Sequence, residues 1–121
     1  MYKIKKTIQF EKWYKSLRDV KIKARITLRL KNVSLGNFGD YKSFGQNLFE
    51  LRFFFSSGYR IYYTIRNDQV ILLLTGGDKS SQEKDIKQAR KLSKNKSTKA
   101  LFMDADERFS EKDIYKIGEF L

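Results

Sequence analysis

Between residues 41 and 75 the chain is cut into short alternating runs by turn-forming residues, and no other feature narrows its fold so far. Residues 41–45, 47–55, 59–66 and 69–75 read as strands, separated by turns at Ser56-Ser57-Gly58 and Asn67-Asp68. Consecutive strands joined by such short turns pair antiparallel, so the segment predicts a meander. Tyr2 to Thr7 alternates around Ile4 and predicts a further strand. Phe10, Trp13, Tyr14 and Leu17 recur at helical spacing, which predicts a short amphipathic helix over Ile8 to Leu17. The next segment fits two periods. Val20, Ile22, Ala24, Ile26, Leu28 and Leu30 alternate as in a strand, yet Ile22, Ile26, Leu30 and Val33 also form one helical stripe. Length and the Lys/Arg filling favour the helix. Gly36-Asn37-Phe38-Gly39-Asp40 predicts a loop, and Ile86, Ala89 and Leu92 predict a helix over 82–93, capped by Ser80 or Ser81. The expected class is α+β, with an N-terminal strand and two helices on one face of a twisted, mostly antiparallel sheet and a helix following.

With 121 residues the chain fits one compact domain that buries roughly two-thirds of its unfolded surface. It contains no cysteine and no histidine, which excludes disulfides, thiol nucleophiles and zinc sites of the usual Cys/His type. Acid–base chemistry then falls to Lys, Arg, Tyr, Asp or Glu. The N-terminus mixes lysines with isoleucines and has neither a signal-peptide core nor a membrane-length apolar run, so a cytoplasmic location is expected. Charge divides the chain. Residues 1–94 carry +13 and residues 95–121 carry −1, which gives the net +12. A domain this basic attracts polyanions by counterion release, although a solvated lysine-rich surface explains the same number. Residues 94–98 read as a linker, followed by an acidic amphipathic helix from Ser110 to Leu121 that is expected to fold against the domain or a second copy of it.

Two neighbouring segments carry chemistry. Gly58-Tyr59-Arg60-Ile61-Tyr62-Tyr63 sets an arginine among tyrosines, and Thr75-Gly76-Gly77-Asp78-Lys79-Ser80-Ser81-Gln82 brings a lysine to a helix start. Together they could hold a nucleic-acid phosphate and stack a base. Each residue also has a plainer reading. Arg60 could pair with Glu50 or Asp68, Arg52 could join Glu50 in a cross-strand ion ladder, and Lys79 could be a solvated turn lysine. Ser80, Ser81 and Gln82 could cradle an anion with the free amides of the helix start, or the serines could only cap it. Tyr59, Tyr62 and Tyr63 offer a stacking face, but alternation sends Tyr62 and Tyr63 to opposite sides, so one belongs to the core. Phe53-Phe54-Phe55 reads as core or partner interface, whereas an exposed member would mark a binding groove.

Several blocks recur in a known order: Phe10-Glu11-Lys12-Trp13, Leu17-Arg18-Asp19, Leu35-Gly36-Asn37-Phe38-Gly39-Asp40, Glu50-Leu51-Arg52, Gly58-Tyr59-Arg60 and Gly76-Gly77-Asp78-Lys79-Ser80-Ser81-Gln82 with Asp85-Ile86 and Ala89. In this order the chain resembles the RelE/ParE superfamily of type II toxin–antitoxin modules, nearest its HigB-like killer proteins, over residues 2–94. The resemblance implies a RelE/ParE-like toxin domain at 1–94 and a ribosome-dependent messenger RNA endoribonuclease that inhibits translation without metal or cofactor. It places catalysis on Arg60, Arg52 and Lys79 and RNA binding on Lys42, Tyr59, Tyr62, Ser80, Ser81 and Gln82. Lys42, Lys79, Glu50 or Asp78 is left as general base. The implied partners are a helix-turn-helix antitoxin, the ribosome with its messenger RNA, and operator DNA only through the antitoxin, with no membrane. A ParE-type gyrase inhibitor without enzymatic activity, or an inactive relative acting as a binding module, would share the same motifs.

Overall fold

The computed structural model describes residues 1–94; the linker and acidic helix expected beyond them lie outside the described residues. The chain runs β1 (Lys3–Lys6), α1 (Ile8–Ser16), α2 (Val20–Ser34), β2 (Tyr41–Ser43), β3 (Phe49–Arg52), β4 (Arg60–Arg66), β5 (Val70–Gly77), a 3₁₀ turn (Lys79–Ser81) and α3 (Gln82–Lys94). The strands form one sheet in the order β1-β5-β4-β3-β2. The meander from β2 to β5 is antiparallel, as its short turns require. β1 instead lies parallel to β5, because α1 and α2 intervene and return the chain to the far edge of the sheet.

Local chemistry fixes each helix start. Thr7 caps α1 by accepting from the Phe10 amide at 3.1 Å, and its own hydroxyl donates to the Leu74 carbonyl at 2.6 Å, which ties the helix start to β5. Asp19 caps α2 by accepting from the Lys21 amide at 2.8 Å. That cap starts the two-period segment as a helix. Ile26, Leu30 and Val33 are then buried on one stripe, while Val20 and Leu28, which only the strand reading would bury, are exposed. At the 3₁₀ turn that leads into α3 the cap is Asp78: it accepts from the Ser80 amide, and Ser81 completes a capping box.

The sheet is covered on both faces, which the sequence reading did not anticipate. On one face α1 and α2 supply Phe10, Tyr14, Ile26, Leu30 and Val33 against Leu51, Ile61, Tyr63, Ile71 and Leu73. On the other α3 lays Ala89 and Leu92 on Leu48, Tyr62, Leu72 and Leu74. Tyr62 and Tyr63 thus face opposite ways as alternation demands, yet both are buried because each face has its own core. Between them the register shifts, since β5 contributes one extra residue, Leu74.

The glycines of the Gly76-Gly77 pair serve these two layers separately. A methyl on Gly76 would overlap the Trp13 indole of α1, and one on Gly77 would overlap the Asp85 carboxylate and Ser81 hydroxyl on the α3 side. Gly58 adopts φ +73°, which the turn into β4 needs and a side chain resists.

Candidate functional site: an arginine cluster under the third helix

Register places Arg52 opposite Arg60 and Arg60 opposite Gly77, so three adjacent strands align one row of backbone. The row beside it pairs Lys42 with Glu50, Glu50 with Tyr62, and Tyr62 with Thr75. Two rows therefore bring Lys42, Glu50, Arg52, Arg60 and Tyr62 to the α3 face of the sheet. Glu50 is fully buried. Its Oε1 lies 3.8 Å from Arg52 Nε and 3.8 Å from Arg60 Nε, and its Oε2 accepts a 2.9 Å bond from Gln82 Nε2 at the start of α3.

A buried charge without close partners is costly, so the geometry of this cluster matters. The ion pairs, including Arg52 with Asp40 at 3.9 Å, are longer than hydrogen bonds. Among the described residues, Arg52 Nε, Arg60 Nε and Arg60 Nη1 are buried without a hydrogen-bond acceptor. The cluster thus pools N–H donors on two guanidinium groups around one carboxylate. Arg60 closes its deep end, and the side chain of Arg52, about one-third exposed, opens it to solvent. Burial first, and the Glu50 charge second, push ionisation of the Tyr62 hydroxyl well above the ordinary tyrosine range, so Tyr62 remains protonated.

Other expected site residues fall around this centre in different ways. Lys79 is exposed in the 3₁₀ turn, its amide 3.4 Å from the Ser57 carbonyl, close to the turn before Arg60. Lys42 is exposed, with its ammonium 5.3 Å from the Phe44 ring centroid. Ser80 donates to Asp78 and Ser81 to Asp85, each at 2.5 Å, so both hydroxyls have internal partners. Tyr62 is too buried to stack on a base. Tyr59 lies on the opposite face, against Trp13 and Phe55. The plainer readings of Arg60 and Arg52 as ion-pair partners of Glu50 describe contacts that are present; Asp68 is not the acid that meets Arg60.

Two contributors were not among the expected binding residues. Phe54 is 75% exposed, with the Arg52 guanidinium 5.8 Å from its ring centroid. The signal for it was the aromatic triplet, in which alternation buries Phe53 and turns its neighbour outward. Asp85 is nearly buried over Gly77, and that desolvation raises its pKa against the opposing pull of the Ser81 hydrogen bond. Among the described residues no group of three or more acidic side chains could hold a metal ion, and no helix is long and apolar enough to cross a membrane.

The fold and cluster define an α+β domain with a buried arginine, Arg60, and a half-buried one, Arg52, around a buried glutamate on one face of its sheet. By its sequence the chain belongs to the family described as phage derived protein Gp49-like (DUF891), whose model matches residues 12–101. It is 47% identical over 89 residues to an uncharacterized protein of Haemophilus influenzae, a match that covers 74% of this chain and 90% of that relative. No solved structure matches.

These relatives correct the expectation drawn from the motif blocks. The family shown is the phage-derived Gp49-like one rather than the RelE/ParE toxins or their HigB-like branch. The toxin role, the ribosome-dependent endoribonuclease, the gyrase-inhibitor alternative and the inactive-toxin reading rested on that resemblance and are withdrawn with it. Packing accounts for the glycines of these motifs: Gly58 serves a turn, and Gly76 and Gly77 admit Trp13 and Asp85.

Proposed function

We propose that this domain binds a single-stranded nucleic acid, with phosphates held along the rim of Arg52, Lys42 and Lys79 and a base stacked on Phe54. The observation that carries the reading is that buried guanidinium N–H groups of Arg52 and Arg60 make no hydrogen bond, facing Glu50 Oε1 only at 3.8 Å, while the Arg52 side chain is about one-third exposed at the outer end of the cluster. A phosphate offers the acceptors that such planar forks suit. The +13 charge of residues 1–94 favours the same ligand, and the exposed Phe54 ring beside Arg52 offers the stacking surface that sequence-tolerant single-strand binding uses.

The test is fluorescence anisotropy with a labelled single-stranded oligonucleotide over a range of salt concentrations. The expected log–log slope is about −0.7 per phosphate contact. Arg52→Ala should reduce that slope by about one contact, and Phe54→Ala should weaken binding by about 1–3 kcal/mol, the usual range for a stacked base. Salt-independent binding, or unchanged affinity in Arg52→Ala, contradicts the proposal and leaves the cluster a structural ion network.

A further inference from the structure

Arg29 lies on α2, on the far side of the sheet from the cluster, yet its guanidinium meets the backbone that carries Arg52. Nη1 donates to the carbonyl of Arg52 at 2.9 Å, Nε to that of Phe38 at 2.9 Å, and Nη2 to that of Asp40 at 2.6 Å. One planar fork therefore joins the last residue of β3 to the loop before β2. The Phe53 ring lies under the guanidinium, its centroid 5.0 Å from Arg29 Cζ. Gly39 lets the loop wrap round it: φ is +68°, and a Cβ there would come within 3.0 Å of Arg29 Nε and Nη2. The Arg52 amide in turn donates to the Asp40 carbonyl at 3.0 Å.

We infer that Arg29 is the positioning residue for Arg52, fixing the end of β3 so that the Arg52 side chain is presented at the rim instead of fraying with the loop. This inference rests on the nucleic-acid reading of Arg52. Three carbonyls in three directions need a fork with several fixed donors, which a lysine ammonium cannot reproduce on a flexible stem. Arg29 has no part in the ligand contacts; its effect passes through the Arg52 backbone.

Because Arg29→Ala strips three carbonyls of a donor and risks unfolding, Arg29→Lys is the working variant, with its fold checked by circular dichroism. Two readouts apply, both on the full chain. In anisotropy with the labelled single-stranded oligonucleotide, Arg29→Lys should weaken binding several-fold and lower the salt slope by about 0.7, the loss of one phosphate contact. It should add nothing further in an Arg52→Ala background. In the free protein, NMR should show the Arg52 Nε–H resonance displaced by Arg29→Lys. Additive losses in the double variant, or an Arg52 resonance that does not move, overturn the inference. Should Arg52→Ala alone leave binding unchanged, the nucleic-acid reading fails, and the resonance still decides whether Arg29 positions Arg52.

Discussion

Glu50 and Arg60 meet where neither can be removed without consequence for the other. Glu50 is fully buried, and Arg60 and Gln82 are its polar neighbours at depth. Arg60→Ala should therefore destabilise the fold by about 3–5 kcal/mol, because it strands a buried carboxylate, and adding Glu50→Gln should recover part of that loss. Urea unfolding of the two variants checks this; a single variant within about 1 kcal/mol of the parent would show the pair to be energetically slack. Asp85 supplies a pH signature. Its folded-state pKa is raised by burial, so the folded protein holds that proton to higher pH than the unfolded chain. Its contribution to stability therefore declines as pH climbs from the ordinary 3.8 to the raised folded value, then levels. Asp85→Asn still accepts from Ser81 and should abolish that decline, gaining on the parent across the same window in thermal melts at stepped pH. Asp78 works in the opposite sense: the Ser80 hydrogen bond lowers its pKa, so its contribution is present above 3.8 and fades as pH falls.

At the scale of elements, what could be read in advance follows from how local each cause is. The meander was legible because its turns are written in Ser56-Ser57-Gly58 and Asn67-Asp68, and Asn67 and Asp68 both take positive φ. The α2 helix was legible only in part, since its alternation suits a strand and Asp19 decides the outcome as a cap. The side of the sheet that α3 covers was not legible, because it depends on a pairing across the chain between Leu72, Leu74 and Ala89. Arg52 and Arg60 could be picked out as charges within strands, whereas Tyr59 could not be assigned a face without the register. The Gly-Gly pair looked like a device for delivering Lys79, and its closer cause is space for Trp13 and Asp85. Gly76→Ala should accordingly cost about 1–3 kcal/mol, as overpacking does, seen as a lower melting temperature with the meander intact by circular dichroism. A neutral substitution would mean that Trp13 can move aside.

Over residues 1–94 a five-stranded sheet carries a hydrophobic layer on each face, and the segment has a net charge of +13. The arginine cluster departs from that pattern because it places cations at the margin of the α3-side core, where an apolar residue would pack without the cost of desolvation. Anion binding gives such a cluster a use that stability alone does not. The most direct test is to follow the Arg52 and Arg60 side-chain Nε–H resonances by NMR while a single-stranded oligonucleotide is added at low salt. The account predicts that the Arg52 signal shifts and exchanges more slowly with water as phosphate binds its guanidinium, and that the Arg60 signal follows in the same titration. Oligonucleotide binding that leaves both signals unmoved would contradict it.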